Sequence, residues 1–227
     1  MTHPANKSPY PMPFTRIELC VLAVVGEGLA VLLGRREEAP AQGKWALPGG
    51  VLRIDLDRSL EGAAQRVAQE RLGTELPHLR QQQAVGGPSR DPRSPWALSI
   101  VYRAVVDAAA VQLDAGKRLA SLRWAQVDDA AQDSTLAFDH ELLVADAATA
   151  LRQEMDYLQF PDGLLPESFT LTELQQRSEQ VLGRPLDKSS FRRRVTDRNC
   201  VEAMEGEFRF GANRPAQLYR LAAPRQP

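Results

Sequence analysis

Cysteine and histidine are scarce in this chain of 227 residues, and neither residue type forms a recognisable cluster. Cys20 and Cys200 lie far apart, which excludes a cysteine-based zinc cluster and provides no disulfide framework. His3, His78 and His140 have no spacing that is typical of a metal motif. We therefore expect no metal site and no cofactor, and we expect both cysteines to be ordinary buried thiols.

The sequence also lacks long apolar runs and several common catalytic motifs. Residues 1–14 are rich in proline and contain no apolar stretch long enough for a signal peptide or a membrane span. No G-x-S-x-G elbow or Walker loop is present, and the run 26–31 lacks the third glycine of a dinucleotide-binding loop. Because 43% of the residues are hydrophobic, the chain can form a real core. These features predict a cytoplasmic protein of one large or two small domains, with a flexible N-terminal arm over 1–14.

Charge is unevenly distributed along a chain whose net charge is only −1. Residues 183–225 contain ten Lys or Arg against five Asp or Glu, whereas the rest contains eighteen against twenty-four. A basic segment on an otherwise acidic chain favours a polyanionic partner such as nucleic acid. It is also compatible with an ordinary solvated surface.

Alternating elements predict an α/β fold for the first two thirds of the chain. Apolar runs at 16–25 and 29–33 flank a Gly-Glu-Gly turn and indicate a β-hairpin. Further strands are predicted at 82–85, 96–106 and 121–125, which is typical of a sandwich of helices on a sheet. A long helix over 139–158, with residues available for an apolar face, is expected to join two domains and is one candidate for the dimer surface.

The segment 47–74 combines LPGG with an amphipathic helix that ends in R-x-x-x-E-x-x-G. Ser59 can cap this helix and Gly73 can end it, as in any well-formed helix. Together with LPGG, however, the segment resembles the Nudix box, whose pattern is G-x5-E-x7-R-E-U-x-E-E-x-G-U. With Arg66 and Gly73 aligned, Glu70 retains one acid, and the other acidic positions hold Val67, Arg71 and Arg58.

Loss of those acids matters because Nudix hydrolysis needs several carboxylates that converge on Mg²⁺. One carboxylate beside an arginine binds a divalent cation poorly, whereas arginine attracts an anionic phosphate directly. The loop 89–93 is also similar to an RDPR segment of Nudix proteins that handle ADP-ribose-like compounds, although a solvated proline loop fits the same residues. The candidate ligand-binding residues are Arg53, Arg71, Arg90 and Arg93 for phosphate, Trp45 for a base or for the core, and Glu70 as a relic.

The C-terminal third has the pattern of a winged helix-turn-helix. A Pro-Asp-Gly linker at 161–163 precedes a helix over 169–182, and Asp187 can cap a second, basic helix. The runs 201–204 and 208–210, with a polar turn expected at 205–207, precede a glycine-rich loop and the run 215–221. Two short strands joined by a basic loop would form a wing, so that the helix enters the major groove while the wing contacts phosphates or the minor groove. The candidate DNA contacts are Lys188, Ser189, Arg192, Arg193 and Arg194 on the helix, and Arg209, Asn213 and Arg214 on the wing.

Both halves together resemble the Nudix-related transcriptional regulators that commonly control NAD-metabolism genes. The resemblance rests on the degraded box and on FTLTELQQRSEQVLGRPLDKSSFRRRV followed by RPAQLYRL, and it covers essentially the whole chain. It implies an N-terminal Nudix-like α/β/α sandwich over 15–158 and a winged helix-turn-helix over 159–227. It further implies an inactive Nudix domain, ADP-ribose or a related nucleotide as effector, and a homodimer on a palindromic operator.

Two other functions remain open from the sequence. A divergent Nudix hydrolase would assemble its metal site from Glu70 and nearby acids such as Asp55, Asp57 or Glu61. A constitutive repressor or scaffold would use an inert Nudix domain only for dimerisation. We expect a ligand-responsive repressor in preference to both, because the substitutions in the box favour anion binding over hydrolysis.

Overall fold

A computed structural model describes residues 12–210 and 215–222. Residues 1–11 of the expected N-terminal arm lie outside these ranges, and Phe14 already belongs to the first strand. Within the described ranges, no helix has both the length and the apolar character required to cross a membrane.

A seven-stranded mixed sheet forms the centre of the first domain. The strands are β1 (Phe14–Val25), β2 (Gly28–Arg36), β3 (Trp45–Ala46), β4 (Gly49–Val51), β5 (Arg80–Pro88), β6 (Trp96–Val105) and β7 (Leu119–Gln126). The main path through the sheet runs β3-β2-β1-β6-β5, while β4 also pairs with β1 and β7 with β2. The β1–β6 pair is parallel and the other pairs are antiparallel.

Helices cover both faces of this sheet, which confirms the expected α/β/α sandwich. Successive side chains of a strand point to opposite faces. Accordingly, Leu19 and Val21 pack with the helix α1 (Leu60–Leu72) on one face. Cys20 and Leu22 pack with α2 (Val127–Ala130) and α3 (His140–Asp156) on the other.

The apolar face of α3 is part of this core. Leu143, Ala147 and Leu151 are each at most 2% exposed and pack against the sheet. These apolar residues therefore pack within one chain, and a dimer contact through another surface of the helix stays a prediction. The helix itself was anticipated to within two residues at its C-terminal end.

The second domain contains α4 (Leu171–Leu182), α5 (Lys188–Asp197), β8 (Val201–Arg209) and β9 (Ala216–Leu221). Thr170 and Glu173 form a capping box at the start of α4, and Gly183 ends it in the left-handed conformation with φ 67°. Asp187 caps α5 by accepting a hydrogen bond from the Ser190 N–H at 2.8 Å. The helix-turn-helix therefore has the local stop and start signals that its sequence indicated.

The wing differs from the sequence expectation. The turn expected at 205–207 is absorbed into a continuous β8, in which Gly206 has φ 76° and the pairing with β9 shifts register between Ala203 and Phe208. An irregularity of this kind lets a strand continue through a glycine that would otherwise indicate a turn. The loop at 211–214, which carries Asn213 and Arg214, lies outside the described residues.

The helix α4 fixes the second domain to the first. Val181 is fully buried in the core shared by α3 and the sheet. Arg152 of α3 donates from Nε to the Val181 carbonyl at 3.1 Å, and Gln180 donates to the Gly26 carbonyl at the β1–β2 turn, also at 3.1 Å. The second domain is thus packed directly onto the sandwich.

Candidate functional site

The LPGG segment lies between a buried carboxylate on β1 and the helix α1. A Cβ at Gly49 would stand 1.8 Å from Glu18 Oε2, and a Cβ at Gly50 would stand 2.8 Å from Val67 Cγ2. The Leu47 N–H donates to His140 Nδ1 at 2.9 Å. Both glycines are needed here because any side chain would collide with its neighbours.

Arg71 joins the LPGG segment to the loop before β7. Its Nε donates to the Gly49 carbonyl at 2.9 Å and its Nη1 donates to the Lys117 carbonyl at 3.0 Å. The residue is only 7% exposed, and burial lowers the pKa of Arg71 from its usual value. A guanidinium therefore occupies a position where the Nudix pattern has a metal-binding acid.

The remaining acid of the box is neutralised by two arginines. Glu70 Oε2 lies 3.4 Å from Arg66 Nη1 and 3.8 Å from Arg71 Nη1. Arg66 also makes a two-pronged ion pair with Asp57, with N–O distances of 2.7 and 2.8 Å. This pairing lowers the pKa of Asp57 and holds its carboxylate on the cation.

Other acids proposed for a divergent metal site are similarly engaged. Asp55 pairs with Arg53 at 2.7 Å, and Glu61 accepts a hydrogen bond from the Tyr102 hydroxyl at 3.3 Å. Across the part of the chain that the structure describes, no group of three or more His, Cys, Asp or Glu residues converges as metal ligands would. Asp55 and Glu61 are thus engaged by arginine and tyrosine side chains of the same chain.

Basic side chains dominate the cleft beside Arg71, which we call the five-arginine cleft. Arg16 and Arg36 come from β1 and β2, whereas Arg93 and Arg118 come from the loops before β6 and β7, and Glu38 is the acid in the lining. Burial, followed by repulsion from Arg16 and Arg93, lowers the pKa of Arg36. Like charges this close favour an anionic ligand, because a bound anion relieves their repulsion.

Aromatic and acidic contacts hold several of these arginines in place. The guanidinium carbons of Arg16 and Arg36 lie 6.0 and 5.2 Å from the centre of the Phe138 ring. Arg16 also pairs with Glu18 at 2.6 Å, and although burial opposes it, this contact raises the pKa of Arg16. The cations are thus preorganised before any ligand is present.

The candidate DNA-binding surface is the outer side of α5. Phe191 and Val195 are buried beneath it, whereas Lys188, Ser189 and Arg193 are exposed. This arrangement follows from the helical spacing of the two apolar residues and presents the polar side chains to solvent.

Three other candidate DNA contacts also make bonds within the protein. Arg192 Nη2 donates to Thr172 Oγ1 at 2.8 Å, which links α5 to the start of α4. Arg194 Nη2 donates to the Asp156 carbonyl at 2.9 Å, at the C-terminal end of α3. Arg209 of β8 pairs with Glu173 and thereby fixes the wing to α4.

Comparison with known proteins identifies both domains of the chain. Residues 15–147 match the NUDIX domain, and residues 162–221 match the NrtR DNA-binding winged helix domain. The ADPR responsive transcriptional repressor NtrR of Acinetobacter baylyi is 36% identical over 96% of this chain and 85% of its own length. The chain belongs to the NrtR family of Nudix-related regulators.

Solved structures of the NrtR family have the same architecture. Shewanella oneidensis NrtR complexed with a 27mer DNA matches with a TM-score of 0.72 and 31% identity, over 92% of this chain and 93% of that one. The NUDIX domain of the same protein complexed with ADP ribose matches with a TM-score of 0.56 and 29% identity, over 64% of this chain and 94% of that domain. The order of the two domains expected from the sequence is therefore confirmed.

Within this NrtR-family fold, the ligand residues expected from the sequence fall into two groups. Arg71 and Arg93 line the five-arginine cleft, and Glu70 adjoins it. The other three, Trp45, Arg53 and Arg90, lie outside its lining. The guanidinium carbon of Arg123 lies 4.3 Å from the centre of the Trp45 ring, and Arg53 is exposed. Arg90 makes a two-pronged ion pair with Asp139, with N–O distances of 2.7 and 2.8 Å.

Sequence reasoning missed Arg16, Arg36 and Arg118 in the cleft. One signal was available, because Arg16 and Glu18 interrupt an otherwise apolar strand with two charges on the same face. Buried charges are rarely found unless they are paired or used for binding. The other two residues offered no comparable signal.

Proposed function

We propose that the chain is a transcriptional repressor that binds operator DNA through α5 and the wing, and that ADP-ribose bound in the sandwich controls this binding. The observation that carries the proposal is the five-arginine cleft in a Nudix domain whose box retains only one of its acids, Glu70. Five guanidinium groups against one lining carboxylate, Glu38, favour the diphosphate of such a ligand. The names of the two NrtR-family relatives support ADP-ribose as the specific effector.

The surroundings of the cleft also fit a nucleotide. A neighbouring groove of about 360 Å³ is lined by Phe14, Val51 and Ile54, and Arg93 lines both the groove and the cleft. We place the diphosphate among the arginines and the adenosine in this apolar groove. Only about 30 Å³ is free within the cleft itself, so exposed side chains such as Arg118 must move when the diphosphate enters.

We propose that the sandwich binds ADP-ribose without hydrolysing it. This part of the proposal is supported by the ion pairs of Asp57 with Arg66 and of Glu70 with two arginines. The rival, a divergent Nudix hydrolase, predicts Mg²⁺-dependent release of AMP and ribose phosphate from ADP-ribose. An assay with excess Mg²⁺ that detects turnover above the uncatalysed rate would replace our proposal with the hydrolase.

The operator complex is expected to contain two copies of the chain. A homodimer places two α5 helices in successive major grooves of a palindromic operator in the cytoplasm. We place the boundary between the ligand-binding domain, 15–158, and the DNA-binding domain, 159–227, immediately before the linker. The proposed DNA contacts on α5 are Lys188, Ser189, Arg192, Arg193 and Arg194. Those on the wing are Arg209, Asn213 and Arg214.

Ligand binding is tested by calorimetric titration of ADP-ribose into the full chain. We expect Arg36→Gln to weaken binding about tenfold, because it removes one charge-assisted contact to the diphosphate. Arg35→Gln is the matched control, since Arg35 is adjacent on β2 but exposed and bonded to the Gly43 carbonyl. Equal affinities for the two variants would remove the five-arginine cleft from the proposal.

The third possibility, a constitutive repressor or scaffold, makes a different prediction. An inert sandwich would give no heat on titration and no shift of its unfolding temperature with ADP-ribose. A specific ligand at a hundred times its Kd stabilises the folded state by about 2.7 kcal/mol. A clear thermal shift therefore distinguishes the sensor from the scaffold.

A further inference from the structure

A second cleft lies where the linker passes between the two domains, and we call it the interdomain cleft. It is lined by His78 and Arg80, by Arg103 and Val105 of β6, and by the segment 158–162 that follows α3. Residues 198–200, 221 and 222 of the winged helix domain complete the lining. None of these residues lines the five-arginine cleft. Its volume of about 530 Å³ is within the range of small-molecule sites.

Positive charge gathers at this cleft. Arg80, Arg103 and Arg198 line it together with one carboxylate, Asp162. Glu154, which adjoins it, pairs with Arg103 at 2.5 Å and lies 3.7 Å from Arg80. Even with both acids counted, the three guanidinium groups leave an excess of positive charge, which favours an anionic ligand.

Arg103 has unused hydrogen-bonding capacity. Its side chain is 5% exposed, and Nη1 is buried without a hydrogen-bond partner among the described residues. A buried guanidinium N–H that makes no bond is unfavourable, and such groups call for an explanation. A ligand oxygen that reaches Arg103 would provide the missing acceptor.

Apolar side chains form another part of the lining, which we call the apolar wall. Val105 is 4% exposed and Leu158 is 7% exposed, and Phe160 and Leu221 are partly buried beside them. A bare inorganic anion would leave this wall in contact with water. The combination favours an anion that carries an apolar ring or chain.

The backbone around the cleft is held in an unusual conformation. His78, Leu158 and Asn199 have φ values of 54°, 62° and 51°, a region that residues other than glycine rarely adopt. Gly163 packs so closely on β6 that a Cβ would stand 2.1 Å from the Val105 carbonyl. Strained backbone that its surroundings hold in place is often found at ligand sites.

From these observations we infer that the interdomain cleft is a second ligand site, for a small organic anion with one phosphate or carboxylate and an apolar ring. The anionic group contacts Arg80, Arg103 and Arg198, and the ring lies on Val105, Leu158 and Phe160. This site is independent of the proposed effector site, because it shares no residue with the five-arginine cleft.

The test is a calorimetric titration of phenyl phosphate and benzoate into the full chain, without DNA or ADP-ribose. We expect at least one probe to bind with a stoichiometry of one per chain and a Kd of about 1 mM or lower. Arg80→Ala and Arg198→Ala should each weaken binding about fivefold, since each removes one ionic contact. Both residues are exposed, so these changes should leave the fold intact.

Arg58→Ala is the matched control, because it removes an exposed arginine that lines neither cleft. It should leave binding of the probes unchanged. The inference is overturned if neither probe saturates, if Arg80→Ala and Arg198→Ala bind as well as the parent chain, or if Arg58→Ala weakens binding as much as they do. Equally tight binding of inorganic phosphate would also overturn it, because the apolar wall would then contribute nothing.

Discussion

The guanidinium of Arg71 donates to the Gly49 carbonyl at 2.9 Å and thereby links the Nudix helix to the LPGG segment. It makes a second bond, to the Lys117 carbonyl, at 3.0 Å. The side chain of Arg71 thus links two backbone segments from a position where the Nudix pattern has an acid. Stability and ligand binding should consequently depend on the same residue.

Arg71→Met should lower the free energy of unfolding by about 1–3 kcal/mol, because two backbone carbonyls lose their donor. Arg118→Met, which removes an exposed arginine of the same cleft, should change stability by less than about 0.5 kcal/mol. Urea unfolding of both variants measures the difference. Equal stabilities would mean that Arg71 does not hold the LPGG segment.

His140 should make stability depend on pH. Burial lowers the pKa of His140 from 6.5 to about 4, so the folded chain binds its proton less readily than the unfolded chain. The contribution of neutral His140 to the free energy of unfolding is complete above pH 6.5 and is lost as the pH falls from there towards 4. The total loss is about 3 kcal/mol.

The His140→Gln variant isolates this contribution. It keeps an acceptor for the Leu47 N–H but cannot titrate. Its free energy of unfolding, measured between pH 7 and pH 4, should therefore fall less steeply than that of the parent chain. Parallel curves would show that His140 is not the group responsible.

Arg193→Ala should reduce operator affinity about tenfold, because Arg193 is exposed on the outer side of α5. If Arg193 contacts a phosphate, the slope of log Kd against the logarithm of the salt concentration should also decrease by about one. Arg58→Ala removes the same charge from an exposed position in the first domain and is the control. A similar loss in both variants would indicate a general charge effect rather than a DNA contact.

Arg152 should hold α4 against the sandwich. It bonds to the Val181 carbonyl and makes a two-pronged pair with Asp128 at 2.8 and 2.9 Å. Arg152→Met should increase hydrogen exchange in α4, whereas Asp128→Asn should change it little because Asp128 is 68% exposed. Unchanged exchange in Arg152→Met would show that apolar packing around Val181 is sufficient.

Local patterns made much of the fold predictable. The helix α5 begins after Asp187 and buries Phe191 and Val195, as its cap and spacing indicated. The β-hairpin follows from two apolar runs around Gly26. In each case the determining residues are neighbours in sequence, so no knowledge of the tertiary structure was required.

The candidate ligand site was less predictable, because its residues are distant in sequence. Arg16 and Arg118 meet only when β1 and the loop before β7 come together in the fold. Arg90 was a reasonable phosphate candidate by charge, but Asp139, 49 residues away, forms an ion pair with it. No local pattern distinguishes an arginine that forms an ion pair within the fold from one that lines a cleft.

The measurement that tests the account most directly is a fluorescence-anisotropy titration of the full chain on DNA from upstream of its own gene and neighbouring genes, with and without ADP-ribose. We predict specific binding to one such fragment at physiological salt, together with a change in its Kd of about fivefold or more when ADP-ribose is added. Specific binding that ADP-ribose leaves unchanged would contradict ADP-ribose as the effector. The absence of specific binding to any fragment would contradict the repressor itself.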